Sequence, residues 1–306
     1  MKYKKILITG VAGFIGSAIA KKLIELNYEV HGIDNLSSGK IENIPKGIIF
    51  SKIDISKEKK FNFLPNDIDC IMHLAGQSSG EISFENPISD LQKNTIATLN
   101  LISFANNTKV DKFIYASSML VYGDVKDEPI SEYHETKPLS CYGVGKLASE
   151  NYLRILLKKS DSFMMRMFNV YGPGQDFSNM KQGMVSIFLS QALKSKKIIV
   201  KGSLDRFRDF IYIDDVVELW IKTMMTKEEG FHELNIGSGK KTSVEELLEY
   251  INEVLGPLDI ELEVYTTGDQ MGIFSDNRKI KKMFKKKNFI DLDQGIKHVL
   301  KSEIPS

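Results

Sequence analysis

Tyr142 and Lys146 stand four residues apart in Tyr142-Gly143-Val144-Gly145-Lys146. On a helix that spacing puts both on one face, about one turn or ~6 Å apart. A free phenol has a pKa near ~10, so taking a proton from an alcohol near neutral pH needs about three units of help, roughly 4 kcal/mol. A neighbouring ammonium favours the phenolate and can supply part of that. The pattern by itself is common on solvated helix faces. Ser118 changes its meaning, because it closes an apolar run that begins at Lys112. A hydroxyl at the carboxyl end of a strand can orient the same alcohol.

A second constellation is Gly10-Val11-Ala12-Gly13-Phe14-Ile15-Gly16. It sits between a predicted strand and a predicted helix. Glycines there permit a tight turn and let the backbone approach a pyrophosphate, while the helix N-terminus offers unpaired N–H groups and partial positive charge. Asp34 ends the next predicted strand and can accept bonds from an adenosine ribose. It repels a 2′-phosphate, and no arginine follows it directly, which favours NAD over NADP. An oxidised nicotinamide would be the second cation beside Tyr142.

These residues need elements to hold them. Lys4–Thr9, Tyr28–Asp34, Gly47–Ile53, Asp69–Leu74, Lys112–Ser117 and Ser162–Phe168 read as strands. Phe14–Leu26, Ile88–Asn106 and Ser140–Leu157 read as helices between them. Alternation with short turns predicts an α/β fold with a doubly wound, Rossmann-type parallel sheet covered on both faces. After Val170 the rhythm changes at Tyr171-Gly172-Pro173-Gly174, and helices are predicted over Gly183–Leu193, Asp214–Met225, Ser243–Val254 and Asp291–Leu300. The expected organisation is a dinucleotide-binding domain over 1–170, with part of 209–235 returning to it. A smaller C-terminal α/β lobe would comprise 171–208 and 236–306. The basic run Arg278–Lys287 reads as a solvated helix face with Ile280, Met283 and Phe284 inward.

Composition narrows the classes. The 41 lysines and arginines against 40 acidic residues leave a net charge of +1, so no whole-molecule field attracts nucleic acid. Cys70 and Cys141 are too few to staple 306 residues and fit a reducing, cytoplasmic setting. The five histidines show no ligand spacing, so no metal is expected, and His73 reads as a packed core residue. Lys2, Lys4 and Lys5 before the apolar run to Ala18-Ile19-Ala20 mimic a secretory signal, but the glycines inside that run are better explained by the phosphate turn. The run is also short of a membrane span.

Taken in order, the motifs resemble those of the extended short-chain dehydrogenase/reductases of the nucleotide-sugar epimerase/dehydratase type, most closely the UDP-glucose/galactose 4-epimerase-type members. The resemblance covers nearly the whole chain. Its pieces are Gly10, Gly13 and Gly16; Ile33-Asp34-Asn35-Leu36-Ser37-Ser38-Gly39; Asp54-Ile55; and His73-Leu74-Ala75-Gly76-Gln77. Asn94, Ala116-Ser117-Ser118, the Tyr142–Lys146 segment and Phe168-Asn169-Val170-Tyr171-Gly172-Pro173 follow. Arg208-Asp209-Phe210, Asp214-Asp215-Val216 and Asn235-Ile236-Gly237-Ser238-Gly239 complete the set. The resemblance implies that Gly10, Gly13, Phe14, Ile15 and Gly16 hold the pyrophosphate, with Asp34, Asn35, Ser37 and Gly39 at the adenosine. It implies Asp54 and Ile55 beside the adenine, and Leu74, Ala75, Gln77 and Asn94 along the cofactor channel. Tyr142 would be the base, Lys146 its activator and a nicotinamide-ribose ligand, and Ser118 the third catalytic member. Asn169 and Arg208 would hold the diphosphate side of a nucleotide sugar, with Arg166 left as structural. A homodimer through the Ile88–Asn106 and Ser140–Leu157 helices is also implied, as is a place in carbohydrate biosynthesis.

Departures from the family pattern narrow the reaction. Relatives that eliminate water or carbon dioxide carry acidic residues just after the catalytic serine or threonine; here Met119 and Leu120 stand there and cannot move protons. No cysteine follows Ser118, and Cys141 points about 100° away from Tyr142 on a helix. Thr266 occupies a place where relatives often carry an arginine, so half of a diphosphate clamp is missing unless Arg206 or Arg278 replaces it. The expected activity is NAD-dependent 4-epimerisation of a nucleotide sugar, by oxidation at C4 and return of the hydride to the other face. The alternatives are a 4-dehydrogenase releasing a ketose, a dehydratase, and a non-catalytic NAD-binding scaffold.

Overall fold

The apolar runs become strands of one sheet in the computed structural model, which describes residues 3–125, 128–181, 183–264 and 271–303. Strands β1 (Lys5–Thr9), β2 (Glu29–Asp34), β3 (Ile49–Lys52), β4 (Cys70–His73), β5 (Lys112–Ser118) and β6 (Asp161–Met167) fall within about two residues of their predicted bounds. All pair in parallel, in the order β3-β2-β1-β4-β5-β6. A seventh strand, β11 (Phe231–Ile236), adds in parallel to β6. Its sequence, FHELNI, was not read as a strand, because its charged and polar residues interrupt the apolar run that marks the others.

Helix α1 (Phe14–Glu25) follows β1, and α2 (Gly80–Glu85) follows β4. The predicted Ile88–Asn106 helix is present but not uniform. It comprises α3 (Pro87–Leu91), a π-helical turn (Gln92–Ile96) and α4 (Ala97–Asn107). Helix α5 (Cys141–Leu156) links β5 to β6 and is capped by the Ser140 hydroxyl, which accepts from Gly143 N at 3.1 Å.

Alternate side chains of β1 face opposite ways, as a strand requires. Ile6 and Ile8 join Ile19 and Leu23 of α1 and Trp220 on one side. Leu7 joins Ile71, Leu101 and Phe113 on the other. Burial of both faces is why these strands are nearly unbroken apolar runs. The Lys5–Ala20 segment with the look of a signal peptide is therefore an interior strand of the sheet, its turn and its helix.

The chain beyond β6 contributes β7 (Asn169–Tyr171), α6 (Met184–Ser195), β8 (Lys197–Lys201), β9 (Phe207–Arg208), β10 (Phe210–Tyr212) and α7 (Ile213–Met225). After β11 come β12 (Thr242–Ser243), α8 (Val244–Leu255), β13 (Asp259–Glu263), β14 (Gly272–Ile273), α9 (Arg278–Phe284) and α10 (Leu292–Glu303). The short strands outside the large sheet form three small ones: β10-β7, β12-β9-β14 and β13-β8. Asp209, fully buried, ties this region together. Its carboxylate accepts from Ser238 N and Oγ, Gly239 N, and Ser275 N and Oγ, at 2.5–3.0 Å. In α9, Ile280 and Phe284 are buried, Met283 is half-buried, and Lys281 and Lys282 are exposed. Lys286 of the same basic run departs from the expected solvated face, its side chain buried and paired with Asp215.

Candidate active site

A tight turn leaves β1 at Gly10, whose φ of +74° suits glycine. A Cβ there would stand 2.7 Å from Ala75 N. Gly16, in the first turn of α1, packs against the same turn, and a Cβ on it would lie 2.1 Å from the Gly10 carbonyl oxygen. The N-cap of α1 is Gly13, with no side chain bonded to the first-turn N–H groups and no acidic residue in that turn. This open, positively polarised helix end, with no Cβ at three positions, has the features an anionic pyrophosphate needs. The residues present fit a dinucleotide.

The adenosine-side candidates pack beside it. Asp34 accepts from Ala12 N at 3.0 Å and from Leu36 N at 2.8 Å. Its carboxylate therefore anchors both the glycine turn and the loop after β2. Asn35 Oδ1 accepts from Ser37 N, and Gly39 lies so close to Ala12 that a Cβ would stand 2.8 Å from the Ala12 Cβ. The Asp54 carboxylate is bonded to Ser56, whose hydroxyl and N–H help hold it below the usual carboxylate range against the opposing effect of burial. The side chain of Ile55 is buried in the core. Leu74 N and Ala75 N bond the carbonyl and hydroxyl oxygens of Thr9. Both ends of the Gln77 amide are engaged: Nε2 donates to Ser79 O and Asp90 Oδ1, and Oε1 accepts from Ser79 N.

At the carboxyl edge of the sheet, a cleft of about 570 Å³ is lined at one end by Phe14 and Ile15 of α1 and at its floor by Ser118 and Tyr142. Tyr142 is buried, and burial pushes its phenol up to about 12, with the Ser118 hydroxyl hydrogen bond acting in the opposite sense and the Asp90 carboxylate adding to the rise. Lys146 is brought down to about 8 by burial, opposed by Asp90 and Glu150. Its Nζ sits 5.6 Å from the Tyr142 ring centroid and 4.9 Å from that of Tyr115. Of the two cations that sequence reasoning set beside Tyr142, the ammonium alone thus does not bring the phenol down. Desolvation keeps it raised.

Asn169 and Arg208 also line the cleft. Asn169 Nδ2 donates to Asp209 O, and Arg208 donates to the carbonyls of Phe207 and Met271. Arg206 lines the cleft as well, whereas Arg278 is turned to Asp276 with its side chain 88% exposed. Thr266 lies outside the described residues. Met119 and Leu120 occupy the wall next to Ser118.

Sequence reasoning missed the buried carboxylates behind the site. Glu150 pairs with Arg166 through two bonds, Nε–Oε1 at 3.0 Å and Nη2–Oε2 at 2.7 Å, and accepts from Ser117 Oγ at 2.5 Å. Arg166 also donates to Tyr122 Oη at 3.1 Å, which gives it a packing role. Asp90 is buried against Gln77 and Asn94. A carboxylate at an otherwise apolar helical position, four residues before Asn94, was the available signal. His73 is bonded on both ring nitrogens, to Thr9 and Thr98, and burial drives its pKa down to about 3, so it is a neutral core group. Among the described residues no cluster of three His, Cys, Asp or Glu side chains could hold a metal ion, and no helix is long and apolar enough to cross a membrane.

A parallel sheet with a glycine turn at its switch point, and a Ser–Tyr–Lys set at the strand ends, defines a dinucleotide-dependent enzyme acting on an alcohol or ketone. The chain belongs to the NAD dependent epimerase/dehydratase family, whose model matches residues 6–237. It is 36% identical to a provisionally named UDP-glucose 4-epimerase of Methanocaldococcus jannaschii, over 96% of this chain and 97% of that one. The structure of the Thermotoga maritima UDP-glucose 4-epimerase with UDP-glucose superimposes with a TM-score of 0.92 at 33% identity, covering 98% of each chain. That of the Thermus thermophilus UDP-glucose 4-epimerase with NAD gives 0.87 at 28% identity, over 97% of this chain and 98% of that one.

Proposed function

We propose that the protein is an NAD-dependent nucleotide-sugar 4-epimerase. The observation that carries this reading is that one cleft is lined by Tyr142, Ser118 and the first residues of α1, while Met119 and Leu120 stand where elimination would need acids. NAD would supply the redox chemistry, accepting a hydride from the sugar carbon and returning it. Everything else falls to the chain. Tyr142 Oη takes the proton of the 4-hydroxyl and later gives it back, so the alcohol becomes a ketone and then an alcohol again with no net oxidation. The Ser118 hydroxyl aligns the sugar oxygen with Tyr142. Lys146 contributes positive charge beneath the ring and a ribose contact. Asn169 and Arg208 hold the diphosphate, which leaves the hexose free to turn in the cleft and expose its other face.

In this reading, segments 171–208 and 236–306 work as the substrate lobe against a cofactor domain of 1–170 and part of 209–235. Two copies pair through α3–α4 and α5. Support for the pairing comes from Ile88, Val144 and Ile155, apolar yet 70%, 54% and 68% exposed on those helices. Light scattering of the purified protein would read a mass twice the chain's 34.6 kDa.

The test is a panel of nucleotide sugars incubated with the protein and followed by proton NMR and NADH absorbance. The expected result is a 4-epimer, no accumulating NADH and no solvent deuterium at carbon. A recovered ketose with stoichiometric NADH would make it a dehydrogenase, and exchange of a ring C–H with solvent would refute hydride return.

A further inference from the structure

The buried carboxylate of Asp90 is held by neutral groups. It is 2% exposed at the end of α3, and its Oδ1 accepts from Gln77 Nε2 at 2.8 Å and from Asn94 Nδ2 at 3.0 Å, both neutral amides. Asn94 sits in the π-helical turn, and its Oδ1 is buried with no hydrogen-bond partner. That oxygen and the Lys146 ammonium both lie beside Gly76: a methyl added there would touch Asn94 Oδ1 at 2.4 Å and Lys146 Nζ at 3.4 Å. From the other side, a Cβ at Gly145, the residue before Lys146, would lie 3.4 Å from Asp90 Oδ2. Asp90 is thus packed against the helical turn that carries Lys146.

Among the other ionisable groups facing Lys146, Glu150 on the same helix also favours the ammonium, but it is held by Arg166 in a two-bond ion pair. From β5 comes Tyr115, and from β4 His73, neither of them an anion at neutral pH. Tyr142 is the reacting phenol. Lys93, in the π-helical turn, is the other cation whose charge acts on Asp90.

We propose that Asp90 is a positioning residue for the reaction: its buried carboxylate orients Gln77 and Asn94 along the cofactor channel and is the counter-charge that keeps Lys146 an ammonium. The inference rests on the reading of Tyr142 and Lys146 as the reacting pair. It has a definite electrical sign. Removing one negative charge disfavours a neighbouring cation, so Lys146 loses its proton at lower pH. The same removal eases formation of the Tyr142 phenolate. Both titrations move down together, which a purely structural role does not produce.

The experiment uses the full chain with 13Cε-labelled lysine, the Lys146 signal being identified by its loss in Lys146→Arg. In Asp90→Asn the Lys146 midpoint is expected to fall by about one pH unit or more, the low end for an opposite charge at close range. The alkaline limb of turnover should move with it. Asp90→Glu, which keeps the charge, should restore the wild-type midpoint. Asp90→Ser makes the same prediction as Asp90→Asn and serves if that variant does not fold. A folded Asp90→Asn or Asp90→Ser protein with an unmoved Lys146 midpoint overturns the proposal. The NMR titration needs no turnover, so a wild-type protein that epimerises nothing defeats the functional reading while this one is still decided.

Discussion

Glu150→Ala isolates the buried pair that braces the active-site helix. The Arg166 and Glu150 side chains are 4% and 3% exposed, and two parallel bonds join them. Deleting the carboxylate leaves a guanidinium in the interior and strips the Ser117 hydroxyl of its acceptor. Breaking a buried pair from one side costs about 3–5 kcal/mol. Three residual partners, Tyr122 Oη, the Glu132 carbonyl at 3.4 Å and the more distant Glu233 at 3.9 Å, favour the lower end, about 3 kcal/mol. Urea unfolding followed by fluorescence of Trp220 reads this as a lower midpoint at unchanged slope. The double variant Glu150→Leu with Arg166→Met should recover most of the loss, because desolvating two charges offsets much of their attraction. A single variant that loses less than about 1 kcal/mol would mean that Glu150 does not carry the guanidinium, and the account of Arg166 as a structural hub would fail.

The remaining expectations concern the cofactor turn, the reacting pair and the hub of the C-terminal region. Gly16→Ala should raise helix propensity by about 1 kcal/mol and still lose NAD binding, since its methyl meets the Gly10 oxygen; full NAD occupancy by calorimetry would contradict this. Tyr142→Phe should lower turnover by about 10²–10⁴ with NAD binding intact, and unchanged turnover would point to another base. Lys146 is a cation whose pKa burial has lowered to about 8, so it is charged below that pH and neutral above. Turnover should therefore decline as pH rises through 8 in the wild type, and a flat profile to pH 10 would remove the ammonium from the reaction. Asp209→Ala strands five donors and should destabilise by at least about 3 kcal/mol, measured as thermal unfolding.

What was legible in the chain was local. Gly10 and Gly16 could be read because a turn that tight leaves no room for a Cβ, which is a property of a few consecutive residues. Tyr142 and Lys146 could be paired because four residues on a helix is one turn. The strands of the large sheet were visible because burial on both faces forces unbroken apolar runs. Only the tertiary structure decided what those residues would meet. Asp90 is 56 residues from Lys146 in sequence, and its place against the helical turn that carries that lysine is set by the fold. Arg166 finds Glu150 on another element, β11 completes the sheet by pairing with β6 despite a polar sequence, and Asp209 gathers donors from two distant loops. Spacing along a chain governs sterics and helical phase. The charge state of a buried group depends on which distant dipoles and ions the fold brings against it, as Tyr142 shows, raised by the same burial that positions it.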